Sequence, residues 1–192
     1  MVSASHVVSL SMRIPFRVVP AVSPDAPLRL LTVHAHPDDE ASKGAATVAS
    51  LNAQGVHCVL VCCTGGEAGD ILNPEMDRPD VRGDLAAVRE SELARAAAII
   101  GYDEVVMLGY RDSGMKDSEA NAHPGAFANA DPDEAVGRLV AIIRRVRPQV
   151  IVTYPDARGE YDHPDHVQVH DVTVPEPLLG IVLPGFVLSD LV

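Results

Sequence analysis

A cluster of metal-binding residue types lies near the start of the chain. Residues 33–40 read Val-His-Ala-His-Pro-Asp-Asp-Glu, which places two imidazoles and three carboxylates directly after an apolar run. Histidine and carboxylate side chains are common ligands of catalytic zinc, which takes three protein ligands and leaves one position open. Taken alone, the cluster is a weak signal, because an aspartate at such a place also serves as a helix cap.

A second His-Pro-Asp element, His163–His166, lies far along the chain. His36 and Asp39 are close in sequence and can bind one metal, to which His166 can add a third ligand. Two imidazoles and one carboxylate describe a catalytic zinc site better than a structural one. The occurrence of both elements favours a metal site over a pair of helix caps.

Two residues beside these ligands have chemistry of their own. Asp38 is adjacent to a ligand and can act as the general base toward an attacking water. His163 can polarise a substrate carbonyl or its developing oxyanion. His34 alternates with His36 along the strand, so we expect it to be a packed residue behind the metal.

The pattern around the motifs predicts strands that alternate with helices. Apolar runs predict strands at 28–33, 56–63, 105–108 and 150–153, and helical patterns occupy 40–54, 84–100 and the segment that begins at Asp131. Such alternation implies right-handed crossovers and an α/β fold, with a Rossmann-like, mostly parallel sheet and helices on both faces. Loops that follow parallel strands share one edge of the sheet. The polar residues of the four loops are therefore expected to converge on one pocket.

Composition narrows the choice of partners. The 192 residues allow one domain, and 47% hydrophobic content is enough for a substantial core. A formal net charge of -12 argues against nucleic acid or an anionic membrane surface as partner, and no segment has the length of a membrane span. The cysteines, Cys58, Cys62 and Cys63, crowd into one predicted strand, which is typical of reduced, buried thiols in a cytoplasmic protein.

The two ends of the chain differ from its middle. Residues 1–27 contain four prolines and predict a disordered or mis-started extension, and residues 28–172 form the predicted domain. Residues 173–192 contain three prolines without a helical period, so we interpret them as an atypical tail, truncated or shifted in reading frame.

Residues 35–40 and 163–166 together resemble the motifs of the LmbE-like, PIG-L-type zinc N-deacetylase family. The resemblance spans roughly residues 28–170 and implies the LmbE-like fold. It also implies roles for residues singled out above. The zinc ligands would be His36, Asp39 and His166, the general base would be Asp38, and the electrostatic catalyst would be His163.

Within this family the chain is most similar to the amidases that cleave mycothiol S-conjugates, through residues 40–46, 64–74 and 109–114. The resemblance implies a small thiol-sugar conjugate as partner and hydrolysis of its amide to a mercapturate and glucosaminyl-inositol, a detoxification reaction. The alternative is removal of the acetyl group from N-acetylglucosaminyl-inositol in mycothiol biosynthesis, or from another sugar. The substrate-binding residues implied are Lys43, Asp70, Arg89 and Asp112, with Tyr161 assisting catalysis.

Two interpretations from other classes stay open. A site of two histidines and one carboxylate could hold iron(II) for an oxygenase, although such enzymes are typically all-β barrels. The chain could also be an inactive fragment that retains the motifs. Metal-dependent hydrolysis would separate the enzyme from both.

Overall fold

The computed structural model describes residues 27–156 and 163–174 and the backbone of 187–190. The strands are β1 (Arg29–His34), β2 (His57–Thr64), β3 (Glu104–Tyr110), β4 (Val150–Thr153) and β5 (Val187–Asp190). All pair in parallel in one sheet with the order β3-β2-β1-β4-β5. The four strands expected from the apolar runs are present, and β5 adds a fifth within the predicted tail.

Six α-helices connect or flank the strands in the described part of the chain. They are α1 (Asp39–Ser42), α2 (Ala45–Asn52), α3 (Pro79–Gly83), α4 (Leu85–Ile100), α5 (Pro132–Val146) and α6 (Pro164–Thr173). None of them combines the length and apolar character that a membrane crossing requires. Residues 1–26 of the extension predicted at 1–27 lie outside the described residues, as do 175–186 and 191–192 of the predicted tail.

Each face of the sheet carries its own apolar core, because successive side chains of a strand point to opposite faces. Leu31 of β1 belongs to the core that includes Leu139 of α5 and Val169 of α6. Leu30 belongs to the other core, with Leu93 of α4 and Val48 of α2. Helices therefore cover both faces, which confirms the predicted doubly covered α/β architecture.

The helix predicted over residues 40–54 is divided into two. Lys43 ends α1 in a non-helical conformation, and Gly44 has a φ of 88°, in the left-handed region that interrupts an α-helix. The amide of Lys43 still bonds to the carbonyl of Asp39, so α1 is a single turn. The prediction of one continuous helix was wrong because the left-handed glycine redirects the chain.

The other helix starts follow from their capping residues. Asp84 accepts a bond from the amide of Ala87 and begins α4, whereas Asp131 does the same for Glu134 and begins α5. The second His-Pro-Asp element also begins a helix. His163 is the N-cap of α6, and Pro164 suits the first helical position because that position needs no amide partner.

Candidate metal and catalytic site

One cavity of about 860 Å³ lies at the carboxyl edge of the parallel strands, as loop convergence predicts. Its wall is built from the loops after β1, β2 and β3, from residues of α1, α3 and α4, and from the start of α6. Every predicted site residue that the structure describes lines it: His36, Asp38, Asp39, Lys43, Asp70, Arg89, Asp112, His163 and His166. Tyr161 lies outside the described residues.

The three predicted metal ligands meet in this cavity. Asp39 Oδ2 lies 3.5 Å from His36 Nδ1 and 3.5 Å from His166 Nε2. All three residues are buried, with exposed fractions of 3% for Asp39, 8% for His36 and 7% for His166. The donor atoms of the group lie within 4.8 Å of one another.

These separations fit a tetrahedral metal ion. Two ligand atoms that each lie about 2.0–2.1 Å from zinc are about 3.3–3.4 Å apart in a tetrahedron, close to the 3.5 Å observed twice. In a second group, His36 with Asp112 and His163, the potential donor atoms also lie within 4.8 Å of one another. Hydrogen bonding to the His36 ring separates the two possibilities.

Asp165 controls which nitrogen of His36 faces the first group. His36 Nε2 lies 3.1 Å from Asp165 Oδ2, and the same carboxylate accepts bonds from the amide and the hydroxyl of Ser113. A proton on Nε2 leaves the lone pair on Nδ1, which faces Asp39 and His166; a carboxylate commonly orients a metal-binding histidine in this way. The donor set is therefore preorganised for a cation on the Nδ1 side.

The charges around His36 also suit a cation. Burial disfavours the charged imidazole, but the surrounding carboxylates, Asp112 first among them, raise the pKa of His36 to about 11. Burial likewise opposes ionisation of Asp39, yet its hydrogen-bond donors, His166 first among them, hold its pKa far below the ordinary range. Without a metal ion, a proton on His36 partly balances the negative charge of the surrounding carboxylates. A bound metal ion would balance that charge in place of the proton.

Two side chains contact Asp39 that the sequence analysis did not link to it. Lys43 Nζ lies 2.8 Å from Oδ1, and the hydroxyl of Tyr154 lies 2.6 Å from Oδ2. The position of Tyr154 directly after β4, at the functional edge, was an available signal, and so was the place of Asp165 within the second motif. Their contacts join parts of the chain that no local pattern connects.

Asp38 lies beside the ligands, with its carboxylate open to the cavity. Its φ is 109°, in the left-handed region, and its side chain is 73% exposed. Oδ2 accepts a bond of 2.7 Å from Arg89 Nη2, while Arg89 Nη1 donates to the carbonyl of Gly66 at 2.7 Å. Asp38 therefore lines the same cavity as the proposed ligands, held there by Arg89.

Asp38 is the N-cap residue of α1, but its side chain makes no capping bond to the first turn of that helix. Partial desolvation by the concave walls raises the pKa of Asp38, the Arg89 guanidinium opposes the shift, and the charge of Asp39 adds to it. A raised pKa strengthens the carboxylate as a base.

His163 caps α6 and faces the same cavity. Its Nδ1 accepts the amide of Asp165 at 3.2 Å, which places the ring proton of the neutral form on Nε2. Burial, and after it the neighbouring charge of His36, lower the pKa of His163 to about 4. The neutral ring is therefore a hydrogen-bond donor held 4.6 Å, centroid to centroid, from the ring of His36.

Asp112 lines the cavity and also accepts hydrogen bonds from the backbone of two loops. It is 2% exposed, and its carboxylate accepts the amides of Gly114 at 2.8 Å and Ala68 at 3.2 Å. These bonds connect the loops after β2 and β3.

His34, which we expected to be packed, is 1% exposed, and burial lowers its pKa to about 4.

The family model described as "PIG-L: GlcNAc-PI de-N-acetylase" matches residues 31–175. The chain therefore belongs to the PIG-L family, the LmbE-like group whose motifs it resembles. This confirms the family that the two His-Pro-Asp elements indicated.

Two curated relatives share about half of their aligned residues with this chain. One is the 1D-myo-inositol 2-acetamido-2-deoxy-alpha-D-glucopyranoside deacetylase 1 of Catenulispora acidiphila, 49% identical over 165 residues, covering 81% of this chain and 50% of that protein. The other is the deacetylase of the same substrate name from Thermobifida fusca, 51% identical over 152 residues, covering 76% of this chain and 53% of that protein. Both names match the deacetylase alternative and do not support the amidase expectation.

Among solved structures, the fold is similar to N,N'-diacetylchitobiose deacetylase from Pyrococcus horikoshii. The TM-score is 0.59 at 24% identity, and the match covers 75% of this chain and 47% of the other. The likeness confirms the LmbE-like α/β fold. The chain spans about half the length of the curated relatives it matches, 50% and 53% for the two named above.

Proposed function

We propose that this chain carries the catalytic site of a metal-dependent N-deacetylase that acts on 1D-myo-inositol 2-acetamido-2-deoxy-α-D-glucopyranoside. The observation that carries the proposal is the position of Asp39 Oδ2, 3.5 Å from both His36 Nδ1 and His166 Nε2, with Asp38 beside them. The names of relatives at 49% and 51% identity support this substrate.

His36, Asp39 and His166 would hold the metal, and zinc is the ion that this donor set suits best. A zinc ion held there would lower the pKa of a water and polarise the amide carbonyl. Iron(II) accepts the same donors, so the identity of the metal is an outcome of the test below. The exposed face of the group opens to the 860 Å³ cavity, large enough for a sugar substrate.

Asp38 is the proposed general base. Its carboxylate accepts a proton from the attacking water, whose oxygen bonds to the carbonyl carbon of the acetamide. The C–N bond then breaks, the amine nitrogen takes up the proton, and acetate and the free glucosaminyl-inositol leave. The bond from Arg89 fixes the Asp38 carboxylate at this position.

His163 is the proposed donor to the developing oxyanion. Its Nδ1 is occupied by the amide of Asp165, so Nε2–H is the group that it can offer. A donor that is already oriented before reaction costs no reorganisation when charge develops. Removal of such a donor typically lowers kcat by about 100- to 1,000-fold.

Four residues of the wall are proposed to bind the sugar and inositol hydroxyls: Lys43, Asp70, Arg89 and Asp112. Lys43 bridges the proposed metal site and the sugar site, because its ammonium bonds to Asp39 and its side chain is 35% exposed. Arg89 and Asp112 are anchored by backbone bonds, so they can present fixed groups to a ligand. Tyr161 is proposed to assist catalysis on the strength of the family resemblance alone.

Hydrolysis of mycothiol S-conjugates is the second candidate activity. It is favoured by Lys43, which falls where the amidases have lysine, and by an apolar section of the cavity wall. That section includes Leu72, 88% exposed, and Met115, 55% exposed, which an apolar S-substituent could contact. Both candidates break an amide at the glucosamine nitrogen and would use the same catalytic groups.

The test is a paired assay on the full chain after reconstitution with zinc or with iron(II). Amine release is measured with N-acetylglucosaminyl-inositol and with a mycothiol S-conjugate. We expect Asp38→Asn to lower kcat by about 100- to 10,000-fold with its metal content unchanged. Asp133→Asn, in the exposed first turn of α5, is the matched control and should keep wild-type rates.

Preferred cleavage of the acetamide would support the deacetylase, and preferred cleavage of the conjugate would support the amidase. Turnover that Asp38→Asn does not change would refute the assignment of the base. Metal-loaded protein without turnover on either substrate would refute the proposed activity for this chain.

A further inference from the structure

Tyr154 contacts the proposed metal site from behind. It is 5% exposed and is not among the described residues that line the cavity. Its hydroxyl accepts the amide of Ala35 at 3.0 Å and lies 2.6 Å from Asp39 Oδ2. An amide N–H can only donate, so the hydroxyl proton is directed to Asp39.

The same residue also contacts a second proposed ligand. Its ring stacks on the ring of His166, with centroids 4.2 Å apart and planes 10° apart. Its backbone carbonyl lies 2.9 Å from Nδ1 of His170, one turn further along α6. Tyr154 thus joins the end of β4 to the loop after β1, to α1 and to α6. These three elements supply the proposed metal ligands.

We propose that Tyr154 is a positioning residue that fixes Asp39 and His166 relative to each other and thereby sets the affinity of the site for a divalent metal ion. The inference rests on the proposed metal site and adds a residue to which neither the motifs nor the comparisons assign a role. Groups that orient metal ligands typically change metal affinity by about 10- to 100-fold when removed.

The chain offers a matched control. Tyr102 is also a buried tyrosine, 8% exposed, with a single side-chain hydrogen bond of 3.0 Å to Thr32 Oγ1. It belongs to the core around Leu93, away from the cavity wall. Tyr154→Phe and Tyr102→Phe each delete one buried hydroxyl, but only the first deletes a bond to a proposed ligand.

The experiment measures zinc affinity by competition with a chelating dye, and the visible absorption of the cobalt(II)-loaded proteins. We expect Tyr154→Phe to bind one ion with about 10- to 100-fold weaker affinity and an altered cobalt spectrum. Tyr102→Phe should match the wild type in both. Equal zinc affinity and equal spectra for Tyr154→Phe and wild type would overturn the inference while leaving the metal site intact.

A second measurement needs no variant and covers the case in which Tyr154→Phe does not fold. Zinc should slow hydrogen exchange at the Ala35 amide, which bonds to Tyr154, more than at the Cys58 amide, which bonds to Asp103 Oδ2 at 2.8 Å. Equal slowing at both amides would overturn the inference. Wild-type protein that binds no metal would overturn it together with the proposed function.

Discussion

Replacing Gly66 by alanine should displace Arg89 without altering the arginine itself. Gly66 has a φ of +67°, and a Cβ added there would lie 2.1 Å from Arg89 Nη1. The colliding atoms are the far end of a flexible side chain, so the guanidinium can move away while the fold is kept. It then loses its bonds to the carbonyl of Gly66, at 2.7 Å, to the carbonyl of Pro37, and to Asp38, at 2.7 Å.

The expected loss of stability has two parts. An L-residue in the left-handed region costs about 1–2 kcal/mol. Displacement of Arg89 adds about 1.5–3 kcal/mol for each lost hydrogen bond from its charged guanidinium to the partly buried carbonyls of Gly66 and Pro37, whereas the pair with the exposed Asp38 contributes less than about 1 kcal/mol. Gly55→Ala is the control, since Gly55 has a φ of +86° with nothing within 4 Å of an added Cβ. It should show the first part alone.

Urea unfolding of both variants measures the difference in stability, and steady-state kinetics measure the effect on function. If Arg89 binds the substrate through one charge-assisted hydrogen bond, kcat/KM of Gly66→Ala should fall by about 10- to 150-fold, the equivalent of about 1.5–3 kcal/mol. Gly55→Ala should keep the wild-type value. Equal kcat/KM for the two variants would refute the role given to the position of Arg89.

Three further predictions concern stability and thiol chemistry. Burial raises the pKa of Cys58 to about 11 from its ordinary 9.0, so its thiolate at pH 8 should be about 100-fold scarcer than in the unfolded chain; a disulfide reagent should react with it only after denaturation, and rapid native reaction would contradict this. Asp131→Ala should lower the free energy of unfolding by about 1 kcal/mol, because it removes the N-cap of α5. Asp131→Ser keeps a capping oxygen, so urea unfolding should show most of that stability retained. Leu139→Ala, at a fully buried position, should lower the free energy of unfolding by about 2–5 kcal/mol. Ile99→Ala, at a position 86% exposed, should lower it by less than about 0.5 kcal/mol. Equal unfolding midpoints for the two variants would refute the packing of Leu139.

Local patterns were sufficient for much of the fold. Continuous apolar runs predicted β2 and β4 because both strands lie inside a covered parallel sheet. Asp131 marked the start of α5 because its side chain caps the first turn of that helix, an interaction between residues close in sequence. The division of the first helix at Gly44 was missed because a glycine inside a helical pattern does not reveal its sign of φ.

The site was predictable to the extent that its chemistry is concentrated in two motifs. His36 and Asp39 lie three residues apart, and the second motif follows a strand that shares their edge of the sheet. The surrounding contacts were not predictable, since Tyr154 bonds to Asp39 across 115 positions of the chain and Asp165 to His36 across 129. Such pairs depend on how the strands are ordered in the sheet, which no local pattern specifies.

The most direct test of the central claim is the location of the metal itself. Crystals of the zinc-loaded chain, measured on both sides of the zinc absorption edge, give an anomalous peak at the ion. We expect one peak among His36 Nδ1, Asp39 Oδ2 and His166 Nε2. A peak in the alternative group of His36, Asp112 and His163, or no peak at His36, would contradict the assignment.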